Sequence, residues 1–301
     1  MRGREMLEMI ENLNPAYIEA AAETPKVRKA SWFKWGPMAA CLCLLIAVLP
    51  AIIFKHEQSD DFKELEQSEM FLYGGKQYYL IGSDDVPERY GFPAEITDIH
   101  AGEMLAFLVR NENGDLAVTE KETQTVLFEY ATAPCDAAKL LQHGDKWYPV
   151  IFTGVVSDNI EHLNGVEQLD MQRLYLIYGI NDVSDIIKIQ VDSATSEEWF
   201  CTEDIGQLEA FYTATVGLKS LSGEEFEQSV YGDCKTDTDR ENLNDAISKD
   251  LHKLQIVTKG GLILHLQIYP SFGWIRSIEA NAHYTITDTI ILWFNKLIEI
   301  E

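Results

Sequence analysis

Three histidines, His252, His265 and His283, fall close together near the C-terminus. Imidazoles are the commonest protein ligands for zinc, so a fold that brought all three together would make a metal centre. His265, however, lies opposite the apolar side of an alternating run formed by Leu262, Leu264, Leu266 and Ile268, the position of a half-exposed sheet histidine. Asp237, Asp239 and Glu241 alternate as carboxylates do in a calcium loop, yet the central glycine and the terminal bidentate glutamate are missing. Thr238-Asp-Arg-Glu241 reads instead as a capping box that opens a solvated helix. Ser31-Trp-Phe-Lys34 has the spacing of a serine–lysine pair, but it abuts a long apolar segment, away from any other candidate group. Tyr269-Pro-Ser-Phe-Gly-Trp274 gathers aromatic rings in one loop, expected to anchor the core, with a binding patch as the alternative. HExxH, GxSxG and phosphate-loop motifs do not occur. The expectation is a non-enzymatic protein with no catalytic residue, no cofactor and no metal. Convergence of His, Asp or Glu side chains in one pocket would reopen the enzymatic reading.

Charge narrows the partners. The 301 residues carry 49 acidic and 24 basic side chains. Residues 1–34 hold six basic and five acidic groups and residues 35–54 none, so the acidity belongs to residues 55–301. Such a region repels phosphate backbones, and direct nucleic-acid binding by the large C-terminal part is excluded as an expectation.

Residues 35–54 run twenty positions without a charge, about 30 Å as a helix, the thickness of a bilayer's hydrocarbon core. Trp32, Phe33 and Trp35 stand where an interfacial aromatic belt belongs. Lys26, Arg28, Lys29 and Lys34 precede the span closely, whereas only Lys55 and Lys63 come after it at similar distance, which orients the N-terminus inward. A long preceding tail and an apolar stretch running on through Pro50 favour an uncleaved anchor over a signal peptide. The expected localisation is the cell membrane, single-pass, with the bilayer itself as one partner. Cys41 and Cys43 fall in the span, leaving Cys135, Cys201 and Cys234, an odd set that allows at most one disulfide.

In the tail, Leu7, Ile10 and Leu13 recur at helical spacing, Asn14-Pro15 breaks and restarts the helix, and Tyr17 and Ile18 give the second piece an apolar side. These five are the candidate partner-binding residues, suited to laying a short amphipathic helix in a groove.

The remaining elements must be positioned by a mixed fold. Strands are expected over residues 77–81, 104–110, 116–119, 125–130, 138–142 and 146–153, with Asn113-Gly114 as a hairpin turn. After them come a helix over 166–178, a strand over 186–191, a helix over 203–216, a hairpin around Gly260-Gly261, a strand near Tyr284 and a helix from about Asp288. Strands mixed with non-alternating helices define an α+β class. The expected organisation is a cytoplasmic tail at 1–34, a transmembrane helix at 35–54, a juxtamembrane linker at 55–70, a β-rich extracytoplasmic lobe at 71–156 and an α+β extracytoplasmic lobe at 157–301.

Tyr17-Ile-Glu-Ala-Ala-Ala-Glu23, Trp32 through Leu45, Gly91-Phe-Pro-Ala-Glu-Ile96 and Ile268 through Trp274 together resemble a group of single-pass proteins of anaerobic Gram-positive bacteria, some of them described as anti-sigma-factor-like. The resemblance implies an inner-leaflet tail, an envelope-facing domain and partnership with a cytoplasmic sigma factor or other regulator. The functional expectation is a membrane-anchored regulatory or sensor protein. The alternative is an envelope binding or structural domain held by a simple N-terminal anchor.

Overall fold

The computed structural model describes residues 70–82, 85–156, 166–167, 169–193, 198–277, 279 and 282–299. All belong to one compact unit bounded by residues 64–301. The tail, the apolar span at 35–54 and most of the linker lie outside the described residues, as do Ser31 and Lys34. Among the described residues no helix is long and apolar enough to cross a membrane.

The first sheet closes on itself. Its strands are β1 (Met70–Tyr73), β2 (Lys76–Leu80), β3 (Ala101–Arg110), β4 (Leu116–Thr119), β5 (Thr125–Tyr130), β6 (Ala138–His143) and β7 (Lys146–Val156). They run β2-β1-β4-β3-β5-β6-β7, and β7 pairs back onto β2, completing a seven-stranded barrel. Only β1 and β4 run parallel, meeting at Phe71 and Leu116. A short β8 (Val166–Glu167) extends the sheet from the end of β7.

The period of two decides which side chains fill this barrel. Phe71 faces Tyr78, Tyr78 faces Phe152, and Leu127 faces Leu141, all with almost no exposure. The Thr125 hydroxyl and His143 Nδ1 meet at 2.6 Å on the same inward side. The lumen is a packed core, and each of its large apolar side chains contributes about 1.5–3 kcal/mol. Gly74 and Gly75, at φ 57° and 72°, form the two-residue loop between β1 and β2. Both conformations are left-handed, as a hairpin turn matched to strand twist requires.

The second sheet is open and antiparallel. Its strands are β9 (Ile186–Asp192), β10 (Trp199–Thr202), β11 (Ser220–Leu221), β12 (His252–Thr258), β13 (Ile263–Tyr269), β14 (Trp274–Ser277) and β15 (Ala282–Thr285), in the order β10-β9-β12-β13-β14-β15-β11. Helices α1 (Met171–Ile177), α2 (Ile205–Thr215) and α5 (Asp288–Ile298) supply buried side chains to its apolar face. Leu264, Leu266 and Ile268 of β13 share a core with Leu174, Phe211, Phe294 and Leu297. Phe211 and Trp293 pack at 4.5 Å between ring centres, and Trp293 Nε1 donates to the Gln207 carbonyl at 3.0 Å. The opposite face carries His265 and Gln267 of β13. Two further helices, α3 (Gly223–Tyr231) and α4 (Asp237–Lys249), form an exposed pair joined by the Arg240–Glu227 ion pair at 2.7 Å.

The α+β class is observed, with differences in detail. Met70 opens β1, although it was expected to end the linker. Residues 166–178 form no single helix. The Asp170 carboxylate accepts from the Ser220 backbone at 3.2 Å and pairs with Lys219 at 2.6 Å, and the Met171 backbone donates to the Leu218 carbonyl. Those bonds hold residues 169–170 away from helical geometry, so α1 starts at Met171. The capping box of α4 is Thr236 with Asp239, two residues before the expected one. Asp239 there also accepts from the Lys235 backbone, a bond that the later frame lacks. Strands β10, β11 and β14 and helix α3 were not expected, being too short or too polar for periodicity to show.

Candidate functional site

Gly91, at φ 90°, approaches the Gly260-Gly261 turn so closely that a Cβ there would lie 2.1 Å from the Gly261 carbonyl oxygen. Gly260 in turn packs on Ala133, where a Cβ would lie 2.6 Å away. These side-chain-free contacts seat the 3-10 turn Pro87–Tyr90 against the polar face of β13.

Alternation then sets the side chains. Because Tyr78, Leu80 and Phe152 point into the barrel, Gln77, Tyr79 and Ile151 point out of it. The β2–β7 register slips beside Gln77, and the displaced Thr153 donates its hydroxyl to the Gln77 carbonyl at 3.3 Å. The slip leaves Thr153 without an opposite residue on β2. The outer wall of β1, β2 and β7, the Pro87–Tyr90 turn and the polar face of β13 enclose a cleft of about 350 Å³. Its lining includes Met70, Tyr79, Arg89, Tyr90, His265 and Glu279.

The lining contains a buried histidine–carboxylate pair. His265 Nδ1 and Glu279 Oε1 meet at 2.9 Å, and the side chains are 10% and 7% exposed. The Tyr90 ring lies edge-on to the imidazole at 5.7 Å. His265 Nε2 and Glu279 Oε2 are buried with no hydrogen-bond partner. A buried polar atom left unpaired costs about 1–3 kcal/mol, so two in one pair are a considerable standing cost. Burial, then the Asp85 carboxylate, pushes the Tyr90 phenol up, with Arg89 opposing and Glu279 reinforcing. Tyr79 donates to Asp85 at 3.1 Å. Tyr178, whose buried hydroxyl also has no partner, is pushed well above the ordinary tyrosine range by burial and then by Glu279.

A second hollow of about 300 Å³ includes Cys135, Tyr178, Asn181 and Lys259 in its lining. Burial pushes the Cys135 thiol up, which disfavours the thiolate needed for nucleophilic work. Cys135, Cys201 and Cys234 are all free thiols.

The three histidines do not converge. His252 Nδ1 meets the Asp192 carbonyl at 3.0 Å and its ring packs on Phe294, His265 pairs with Glu279, and His283 stacks on Phe226 at 3.7 Å. Among the described residues no three His, Cys, Asp or Glu side chains could share a metal ion. Asp239 is occupied by capping bonds. Tyr269 and Trp274 are buried and stacked at 3.9 Å on the face of β13 that carries His265 and Gln267, with Phe226 of α3 packed on Trp274 at 4.9 Å, so the pair lies outside the apolar core. Leu7, Ile10, Leu13, Tyr17 and Ile18 lie outside the described residues. Sequence reasoning missed Arg89, Tyr90 and Glu279. The Pro87 and Gly91 that bracket the first two mark a turn, whereas nothing local marks Glu279 as a partner of His265.

Compared with protein-family models, with curated proteins and with solved structures, the chain matches none.

Proposed function

We propose that this protein is a membrane-anchored sensor or regulator whose folded unit binds a small polar ligand in the cleft beside β13. The observation that carries the reading is the His265–Glu279 pair, nine-tenths buried, with one unpartnered polar atom on each side chain beside a cavity of small-molecule size. A structural ion pair gains nothing by leaving atoms unpaired, whereas a ligand that supplies partners recovers that cost on binding. The uncharged span at 35–54 and the basic residues before it put the cleft outside the cell in this reading, and Leu7, Ile10, Leu13, Tyr17 and Ile18 would carry the response to a cytoplasmic partner, a sigma factor or other regulator. The runner-up is an envelope-binding domain whose tail serves only as an anchor.

The pair also forms the base-and-orienter half of a hydrolytic constellation. Among the described residues lining the cleft, the hydroxyls belong to Tyr79, Tyr90 and Thr153, two of them already donating to Asp85 and to the Gln77 carbonyl. Binding is therefore the preferred reading. The test is a thermal-shift screen of the full chain in detergent against amino acids, organic acids, sugars and nucleosides, wild type beside Glu279→Gln. At least one compound should raise the unfolding temperature of the wild type and not of the variant. A screen in which every compound acts alike on both proteins overturns the reading.

A further inference from the structure

We propose that the cleft takes a free α-amino acid, its ammonium deep against His265 and Glu279 and its carboxylate at the mouth against Arg89. The inference rests on the binding reading above and names the chemistry that the cleft selects.

The deep end comes first. In the tautomer that donates Nδ1–H to Glu279 Oε1, the imidazole keeps its buried Nε2 lone pair without a partner. Glu279 Oε2 adds a second acceptor. Two buried acceptors beside a carboxylate, with no donor between them, match a positively charged group that carries several N–H donors. A primary ammonium is such a group.

The mouth supplies the opposite charge. Arg89 is exposed, lines the same cleft and has no ion-pair partner among the described residues. Arg89 and Glu279 act on the Tyr90 phenol with opposite sign, so both charges reach one ring, yet they form no ion pair with each other. A buried glutamate and an exposed guanidinium, which line one cleft, both act on Tyr90 and form no ion pair with each other among the described residues, complement a small zwitterion. A pure anion would meet Glu279 and the acidity of the whole unit. Gln77 and Thr153 complete the wall with Met70, Ile151 and the Tyr79 ring, the last three offering an apolar patch to a side chain. At about 350 Å³ the cavity stands at the small end of ligand sites, which suits a free amino acid better than a peptide.

The experiment is calorimetric titration of the full chain in detergent with each of the twenty L-amino acids. The tightest binder is then compared with its methyl ester, which keeps only the ammonium, and its N-acetyl form, which keeps only the carboxylate. The expected result is binding of at least one apolar amino acid and at least about tenfold weaker binding of each blocked form. Arg89→Gln, at an exposed position that leaves folding intact, should weaken the amino acid about tenfold and leave the methyl ester unchanged. Glu279→Gln should weaken the amino acid and the methyl ester together. An ester that binds as tightly as the parent, or indifference to Arg89→Gln, overturns the zwitterion. If no amino acid binds but another compound acts through Glu279, this inference falls and the binding reading stands. If nothing binds through Glu279, both fall.

Discussion

His283 shows how a single side chain can carry a pH dependence that no motif announces. Burial, then the nearby Arg276 charge, takes its pKa from 6.5 down to about 4. The folded state therefore holds the ring neutral, stacked on Phe226, while the unfolded chain takes up a proton at 6.5. Between those values the unfolded state binds more protons, so stability present above pH 6.5 is lost as pH falls towards 4. The ring is only about half buried, and after discounting for solvent screening the effect is about 1 kcal/mol. His283→Phe keeps the stack and removes the titration. Wild type should lose more unfolding temperature than His283→Phe between pH 7 and pH 5, and parallel losses would remove His283 as the cause.

At the level of elements, the contact of the Pro87–Tyr90 turn with β13 depends on backbone meeting backbone. Gly91 and Gly75 both have left-handed φ, but a Cβ on Gly75 meets nothing within 4 Å, whereas one on Gly91 collides with the Gly261 carbonyl. Gly75→Ala should cost roughly 1–2 kcal/mol, the conformational strain alone. Gly91→Ala adds overpacking of about 1–3 kcal/mol and, unlike Gly75→Ala, should also abolish ligand binding by displacing Tyr90 and Arg89. Urea unfolding midpoints compare the two, and equal losses would mean that the close approach is not maintained in solution. The same level explains why some elements were readable in the sequence. β4 and β5 fall where alternation puts them, and β12 and β13 flank the Gly260-Gly261 turn as expected. β14 and β10 each open with two adjacent apolar residues, Trp274-Ile275 and Trp199-Phe200, in place of an alternation, and gain their strand geometry from neighbours already in the sheet.

For the whole molecule, the anchoring reading makes a simple demand. A reporter fused after Glu301 should behave as exported and one fused after Glu23 as cytoplasmic, because in that reading the uncharged span would cross once and the basic flank would stay inside. Reversed labelling would place the cleft inside the cell and end the proposal that it samples the envelope. If the topology holds, the cleft and the five apolar tail residues lie on opposite sides of the bilayer, the arrangement a transmembrane regulator requires.

Composition and periodicity by themselves determined the α+β class, the uncharged span, the acidity of the C-terminal part, the apolar side of β13 and the placement of His265 opposite it. These are local properties, legible because adjacent residues impose them. Closure of the first sheet was not local, since it depends on β2 pairing with β7 some seventy residues away. Nor was the site. His265 was legible as a polar residue on a strand, but its meaning comes from Glu279 on a later turn, from Arg89 and Tyr90 nearly two hundred residues earlier, and from the outer wall of a barrel whose inward residues had first to be settled. Only tertiary structure decided that these groups share one cleft, because the distances that matter there are set by packing and not by spacing along the chain.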